Sequence, residues 1–297
     1  LVCFPERPPE LRRELQWYVR RDAERLLADW APPQSPGDWA AFRSRYAHRL
    51  RSLLFRTAGT GDRPGDSRPV PEAETTEEGG AIRLTLWTDP WTPVQGVFAR
   101  SRHPGGGVRV IVDDAGKAAA WAERAVQDAL AAGYSALAVD LRGWGALRPA
   151  ELDADGAMDE RVAVYKGLGY DVPLMGLRVA DLLACCEWAA GHAARRVEVV
   201  GRHCGALVCL LAAVLDERID GVTLDELPVS LIPPSQSTDA KRLFTLVPNL
   251  IRDVGDVPHL LGLLAPRGCV VRPGEASPST FVDNAEAHWR PVRACYA

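Results

Sequence analysis

The chain has 297 residues, 47% of them apolar and 25% charged, with a formal net charge of −4. That is the balance of a globular protein with room for one large domain, or one domain with an appendage. It gives no electrostatic reason to expect nucleic acid or an anionic membrane as partner, and no apolar run approaches the ~18 residues of a spanning helix. No charged start followed by an apolar stretch opens the chain, so no signal peptide is visible and the compartment stays open.

Two amphipathic helices come first. Leu11, Leu15, Val19, Ala23, Leu27 and Trp30 recur at helical spacing until Pro32-Pro33 ends the run. After Ser35-Pro36, the residues Trp39, Phe42, Tyr46, Leu50 and Leu53 form a second stripe. The arginine-rich opposite faces read as solvated, because acids are interspersed. The pair is expected to pack as a hairpin on the main domain or on a second copy, which makes it the candidate surface for a homo-oligomer. Residues 57–80 carry Gly, Pro, Asp, Glu and Thr with almost nothing to bury, and read as a linker or long surface loop. The expected division is a helical segment 1–56, a linker 57–80 and a main domain 81–297.

From Ala81 strands and helices alternate. Ile82–Trp87 alternates with period two, as an edge or antiparallel strand does, with Val94–Ser101 as partner. Val108–Val112 is a strand, Lys117–Ala132 a helix closed by Gly133, and Tyr134–Val139 a strand. A long connection, Gly145–Pro173, leads to a helix over Leu174–Ala190. Strands at Val197–Val200, Gly221–Leu224 and Cys269–Val271 follow, with helices at Ala206–Leu215, Val257–Leu264 and Phe281–Tyr296. The alternation predicts an α/β fold, a mostly parallel twisted sheet covered by helices on both faces.

Seven cysteines, two of them adjacent at Cys185-Cys186, argue for reduced buried thiols rather than a disulfide framework. No Cys-x-x-Cys spacing occurs, and neither a metal nor a cofactor is expected.

The stretch Gly201-Arg202-His203-Cys204-Gly205 stands between a strand and a helix. That is the layout of a nucleophile elbow, where two glycines permit a cramped turn that projects one side chain into a pocket mouth. Both elbow glycines, Gly201 and Gly205, are present, but His203 stands at the centre in place of serine. Three further phrases surround it: Asp140-Leu141-Arg142-Gly143-Trp144-Gly145, Met175-Gly176-Leu177-Arg178-Val179-Ala180-Asp181, and Leu264-Ala265-Pro266-Arg267. Arg178 and Asp181, one turn apart, are candidates to pair with each other. With these four phrases in order, the region from about Ala81 to Ala297 resembles the α/β-hydrolase superfamily, in its acetyl xylan esterase and prolyl-oligopeptidase-like branches.

The resemblance implies an ester hydrolase whose nucleophile, acid and histidine follow in that chain order. His203 holds the nucleophile position, and imidazole serves as nucleophile or general base. The backbone N–H of Cys204 is the expected oxyanion donor, and its thiol reads as packing. Asp225 and Glu226 are the better candidates for the acid, since Gly274-Glu275-Ala276-Ser277-Pro278 has serine where aspartate is expected. His288 is the only histidine after residue 259 and falls inside the terminal helix. The second oxyanion donor would come from Asp113-Asp114-Ala115-Gly116-Lys117, where Gly116 keeps the turn possible but two carboxylates oppose an oxyanion. Ser230 is a spare hydroxyl just past the strand that precedes it.

Two readings stay open. One is an esterase-like enzyme acting on a small or carbohydrate acyl ester. The other is a non-catalytic relative that binds a ligand or serves as a scaffold.

Overall fold

The computed structural model describes residues 15–55, 72–78, 81–88, 92–102, 105–148, 157–192, 196–232, 246–272 and 285–296. Its centre is an eight-stranded sheet: β1 (Glu72–Glu78), β2 (Ala81–Trp87), β3 (Pro93–Ala99), β4 (Val108–Asp113), β5 (Ser135–Asp140), β6 (Val197–Arg202), β7 (Ile219–Asp225) and β8 (Gly268–Arg272). The order is β1-β2-β3-β5-β4-β6-β7-β8. The first three strands run antiparallel, and β3 meets β5 antiparallel. From β5 through β8 every pairing is parallel. The mostly parallel sheet expected from the alternation is present.

Side chains on the central strands alternate between two cores, as the period of two requires. Val108, Val110 and Val112 on β4, with Leu137 and Val139 on β5, enter the larger core. Ile111, Ala136 and Ala138 point the other way, into a smaller core with Ala120, Val126 and Ala129. Those last three come from α3 (Lys117–Ala122) and α4 (Ala125–Ala131). Small alanines let these two helices lie close on the sheet. The sequence predicts one helix here, and the structure has two. Arg124 takes φ 68, in the left-handed region, and ends the first helix.

The larger core carries the other helices. After α1 (Leu15–Leu27) and α2 (Trp39–Leu54) come α5 (Ala157–Gly169), α6 (Leu174–His192), α7 (Cys204–Leu215), α8 (Leu250–Asp253), α9 (Val257–Gly262) and α10 (Ala285–Tyr296). Gly205–Leu215 of α7 is buried all round. A helix that is apolar on every side needs cover on every side. The sheet supplies one side, and Phe42, Tyr46, Leu50 and Leu53 of α2 share its core on the other. The N-terminal pair therefore lies on the main domain, one of the two placements expected. Trp30 seals it, with its ring 5.4 Å from Phe42 and 4.8 Å from His259.

Two further stretches differ from expectation. Glu72–Glu78, inside the stretch read as a linker, is a strand paired along its length with β2. An edge strand needs only its backbone ladder, so an acidic sequence with no apolar alternation qualifies, and its charges blunt the open edge. The connection from Gly145 to Pro173 contains α5, whose weak amphipathicity hid it.

Candidate active site

The strand order reverses at β4: the chain crosses to β5 on one side, then to β6 on the other. In open α/β sheets the crevice at the carboxyl ends beside such a reversal takes the ligand. Here β4, β6, β7 and β8 end in register on Asp113, Arg202, Asp225 and Arg272. His203 and Asp114, the residues after β6 and β4, sit on this edge.

His203 has φ 51 and ψ −122. That region is costly for any residue with a side chain, about 1–3 kcal/mol, and such strain gathers at functional turns. The surroundings hold it there. The His203 N–H donates to the Asp225 carbonyl (3.0 Å), and the His203 carbonyl accepts from the Ala206 N–H (3.1 Å). The flanking glycines are required by close approach. A Cβ on Gly201 would lie 2.5 Å from the Gly205 carbonyl oxygen, and one on Gly205 would lie 2.6 Å from that of Val112.

The imidazole is 41% exposed, with Nδ1 2.9 Å from Oε2 of Glu226. This is an ion-pair contact that falls short of hydrogen-bond geometry, and Nδ1 is the ring nitrogen turned to the carboxylate. Glu226 is held from its other oxygen, since Arg202 Nη2 lies 3.1 Å from Oε1. Arg202 also pairs with Glu123, in the break between α3 and α4. Of the two acids expected, Glu226 meets His203. Asp225 turns instead to Arg272 (2.9 Å). Glu226 has φ 59, which re-aims its side chain out of the strand direction and onto the elbow.

The two N–H groups expected to serve an oxyanion are both engaged. The Cys204 N–H, at the start of α7, points at Oδ2 of Asp114 (3.4 Å). A helix N-terminus favours a nearby anion, which accounts for a carboxylate there. Gly116 has its own N–H committed to the Asp113 carbonyl (2.9 Å). Burial raises the Asp113 carboxyl above its usual range, opposed by the Ala115 N–H that donates to it.

Burial beside Asp114 pushes the Cys204 thiol up to about 12. At pH 8.5 a free cysteine is roughly half thiolate, whereas Cys204 is thiolate in only about one molecule in 10³. Iodoacetamide at that pH should therefore modify Cys204 at least ~100-fold more slowly than a free cysteine. Peptide mapping by mass spectrometry reads this, and rapid labelling would make the thiol a candidate nucleophile.

The other candidates lie elsewhere. Ser230 donates its hydroxyl to Asp256, a fully buried carboxylate that also accepts from the N–H groups of Leu231 (2.7 Å) and Val257 (2.8 Å). It pins the start of α9. His259 completes that cap, with Nδ1 accepting from the Asp256 N–H (3.2 Å). The backbone of His288 lies in α10, but its side chain is outside the described residues, as is Glu275.

Beneath the rim, two buried carboxylates tie the turns together. Asp140 accepts from the Lys117 N–H (2.6 Å), the Lys117 ammonium and the Ala146 N–H (3.0 Å). Asp181 accepts from Arg142 Nη2 (2.6 Å), Arg142 Nε (2.8 Å) and the Thr88 hydroxyl (2.8 Å). Arg178 and Asp181, expected as a pair, thus take different partners. Arg178 stacks over Trp144, 4.1 Å from its ring, and pairs with Glu160 of α5 (2.6 Å). Both arginines were visible as motif residues, but nothing in the motif marks α5 as the source of a partner. Arg202 and Glu123 went unassigned. Arg202 was legible only as the neighbour of His203, and Glu123 only as one charge in a helix.

No group of three or more His, Cys, Asp or Glu side chains among the described residues is arranged to hold a metal ion. No described helix is long and apolar enough to cross a membrane.

No protein-family model matches the chain, and no curated protein matches it in sequence. Solved structures do match. A protein provisionally assigned as an acetyl xylan esterase, from Bacteroides fragilis, superposes with TM-score 0.68 at 16% identity over 98% of this chain and 82% of that one. A methylesterase gives 0.58 at 17% identity over 93% of this chain, which spans 60% of that enzyme's length. A glucuronoyl esterase from Solibacter usitatus gives 0.50 at 16% identity over 89% of this chain and 82% of that one.

Proposed function

We propose, from the premise that the chain has the α/β-hydrolase fold, that it is an ester hydrolase working through a histidine–carboxylate dyad. The single observation that carries this reading is the 2.9 Å contact between His203 Nδ1 and Glu226 Oε2 at a strained elbow. The substrate class is a small or carbohydrate acyl ester, by analogy with its structural neighbours, a protein provisionally assigned as an acetyl xylan esterase and a glucuronoyl esterase.

His203 Nε2 takes a proton from water, and the hydroxide so formed attacks the ester carbonyl. Glu226 steadies the imidazolium that results, as the acid does in a serine triad. The tetrahedral adduct then expels the alkoxide, which takes the proton back from Nε2 and leaves as the alcohol. The Cys204 N–H is the donor for the oxyanion, and Asp114 must give way to it. Catalysis by this dyad is slower than by a serine triad, because one donor is contested and no covalent acyl-enzyme divides the barrier.

The second reading, a ligand-binding relative without turnover, draws on that same Asp114 carboxylate at the oxyanion position. Hydrolysis of p-nitrophenyl acetate separates the two. The wild type is expected to exceed an equal concentration of free imidazole. Glu226→Gln should lower kcat at least ~10-fold, since an unsteadied imidazole forfeits part of the ~10²–10⁴ that a positioned base contributes. A rate no greater than that of imidazole would leave the second reading.

A further inference from the structure

Among the described residues Arg178 is the largest side chain that is fully buried. A guanidinium in that setting normally spends its five N–H groups on acceptors. Here Nε donates to the Arg142 carbonyl (3.2 Å), and Nη1 lies 2.6 Å from a single oxygen of Glu160. Among the described residues Nη2 has no hydrogen-bond partner, and the Glu160 contact at Nη1 falls short of hydrogen-bond geometry. Gly143, with φ 77, leaves room at that nitrogen, where a Cβ would lie 3.2 Å away. Glu160 therefore uses one tine of a fork built to take a carboxylate with two.

The place of this fork matters. Arg178, Glu160 and Asp114 all lie near enough to Cys204 to bear on the charge of its thiol. Cys204 directly follows His203, so the fork is beside the elbow. Trp144 backs the guanidinium as a flat wall. Among its described side chains, the element that supplies Glu160 buries little apolar surface. In α5 and the turn after it Val164 is buried, while Val162, Tyr165 and Tyr170 face solvent. Elements with little buried apolar surface open at low cost.

We propose that Arg178 is a carboxylate-binding subsite of the elbow pocket, and that Glu160 fills it as an internal stand-in until a carboxylate on the substrate displaces it. The inference rests on the esterase reading for its meaning, since it names the substrate as an ester that also bears a free carboxylate. It stands apart from that reading in its test, which measures binding and not turnover. In the closed form Glu160 neutralises Arg178 from α5. In the open form α5 lifts, and the incoming carboxylate bridges Nη1 and Nη2 while the ester lies toward His203. A tethered competitor acts at high effective concentration, so it holds down the apparent affinity of any free carboxylate.

The experiment compares benzoate with benzamide, its uncharged isostere, by isothermal titration calorimetry on the full chain. Glu160→Gln keeps the shape of the side chain and removes its charge. This variant is expected to bind benzoate at least tenfold more tightly than the wild type does, and at least tenfold more tightly than it binds benzamide. Arg178→Gln should lose the preference. Should that second variant fail to fold, as the loss of a buried cation beside Glu160 allows, the Glu160→Gln comparison decides alone. A folded Glu160→Gln protein, checked by circular dichroism, with equal affinity for benzoate and benzamide would overturn the proposal. Tight benzoate binding without ester turnover would keep the subsite and remove the esterase reading.

Discussion

His203→Ala is expected to lower kcat/KM for p-nitrophenyl acetate by ~10²–10⁴, the range a positioned general base contributes, and to leave the melting temperature nearly unchanged. The two parts of this expectation have different causes. Activity falls because the proposed reading makes the imidazole, with Glu226 at its Nδ1, the general base of the elbow. Stability stays because the ring is 41% exposed and its removal opens no cavity, while alanine inherits the same strained backbone at φ 51. His203→Ser sharpens the result. It restores the hydroxyl that this turn usually presents but removes the base that would activate it, so it should be as inactive as the alanine variant. A serine variant faster than the wild type would mean that another histidine reaches the elbow, and would move the catalytic base away from position 203.

Asp181→Ala should be the most damaging single change away from the rim, costing about 3–5 kcal/mol. The carboxylate is fully buried and accepts from Arg142 through Nε, Nη2 and the backbone N–H, and from the Thr88 hydroxyl. Deleting it strands a largely buried guanidinium without its counter-charge, and that uncompensated charge is the cost, more than the lost attraction. A drop of roughly 10 °C in thermal melting follows for a domain of this size. The exposed pair Arg20–Glu24 on α1, at 3.2 Å, serves as the comparison. Solvent and salt screen it, so Glu24→Ala should stay within about 0.5 kcal/mol. Equal effects from the two substitutions would show that the Asp181 network is not the tie between the turn after β5 and α6.

Both substitutions fall in phrases visible in the sequence, yet their reasons were visible only in part. The elbow was legible because its chemistry is local: two glycines set two residues either side of a centre, between an apolar strand and an apolar helix. The Arg142–Asp181 tie joins residues 39 apart. The motif marked both ends, and spacing suggested the wrong join, Arg178 with Asp181, because helical neighbours one turn apart are the nearest partners that a sequence offers. Asp225 against Glu226 was undecidable for a similar reason. Adjacent residues on a strand point to opposite faces, and which one reaches the elbow depends on the left-handed φ of Glu226. No residue type announces that angle in a glutamate.

The sequence by itself determined the strand–helix alternation, the glycine-flanked turn and the imidazole at its centre, because periodicity and backbone permission are properties of short segments. Only the tertiary structure decided that Glu226 partners His203, that Asp114 stands at the Cys204 N–H, and that α5 brings Glu160 to Arg178. Those pairings join charges from separate crossovers at one edge of the sheet, and charge pairing over such separations is fixed by where the strands end, which no local pattern encodes.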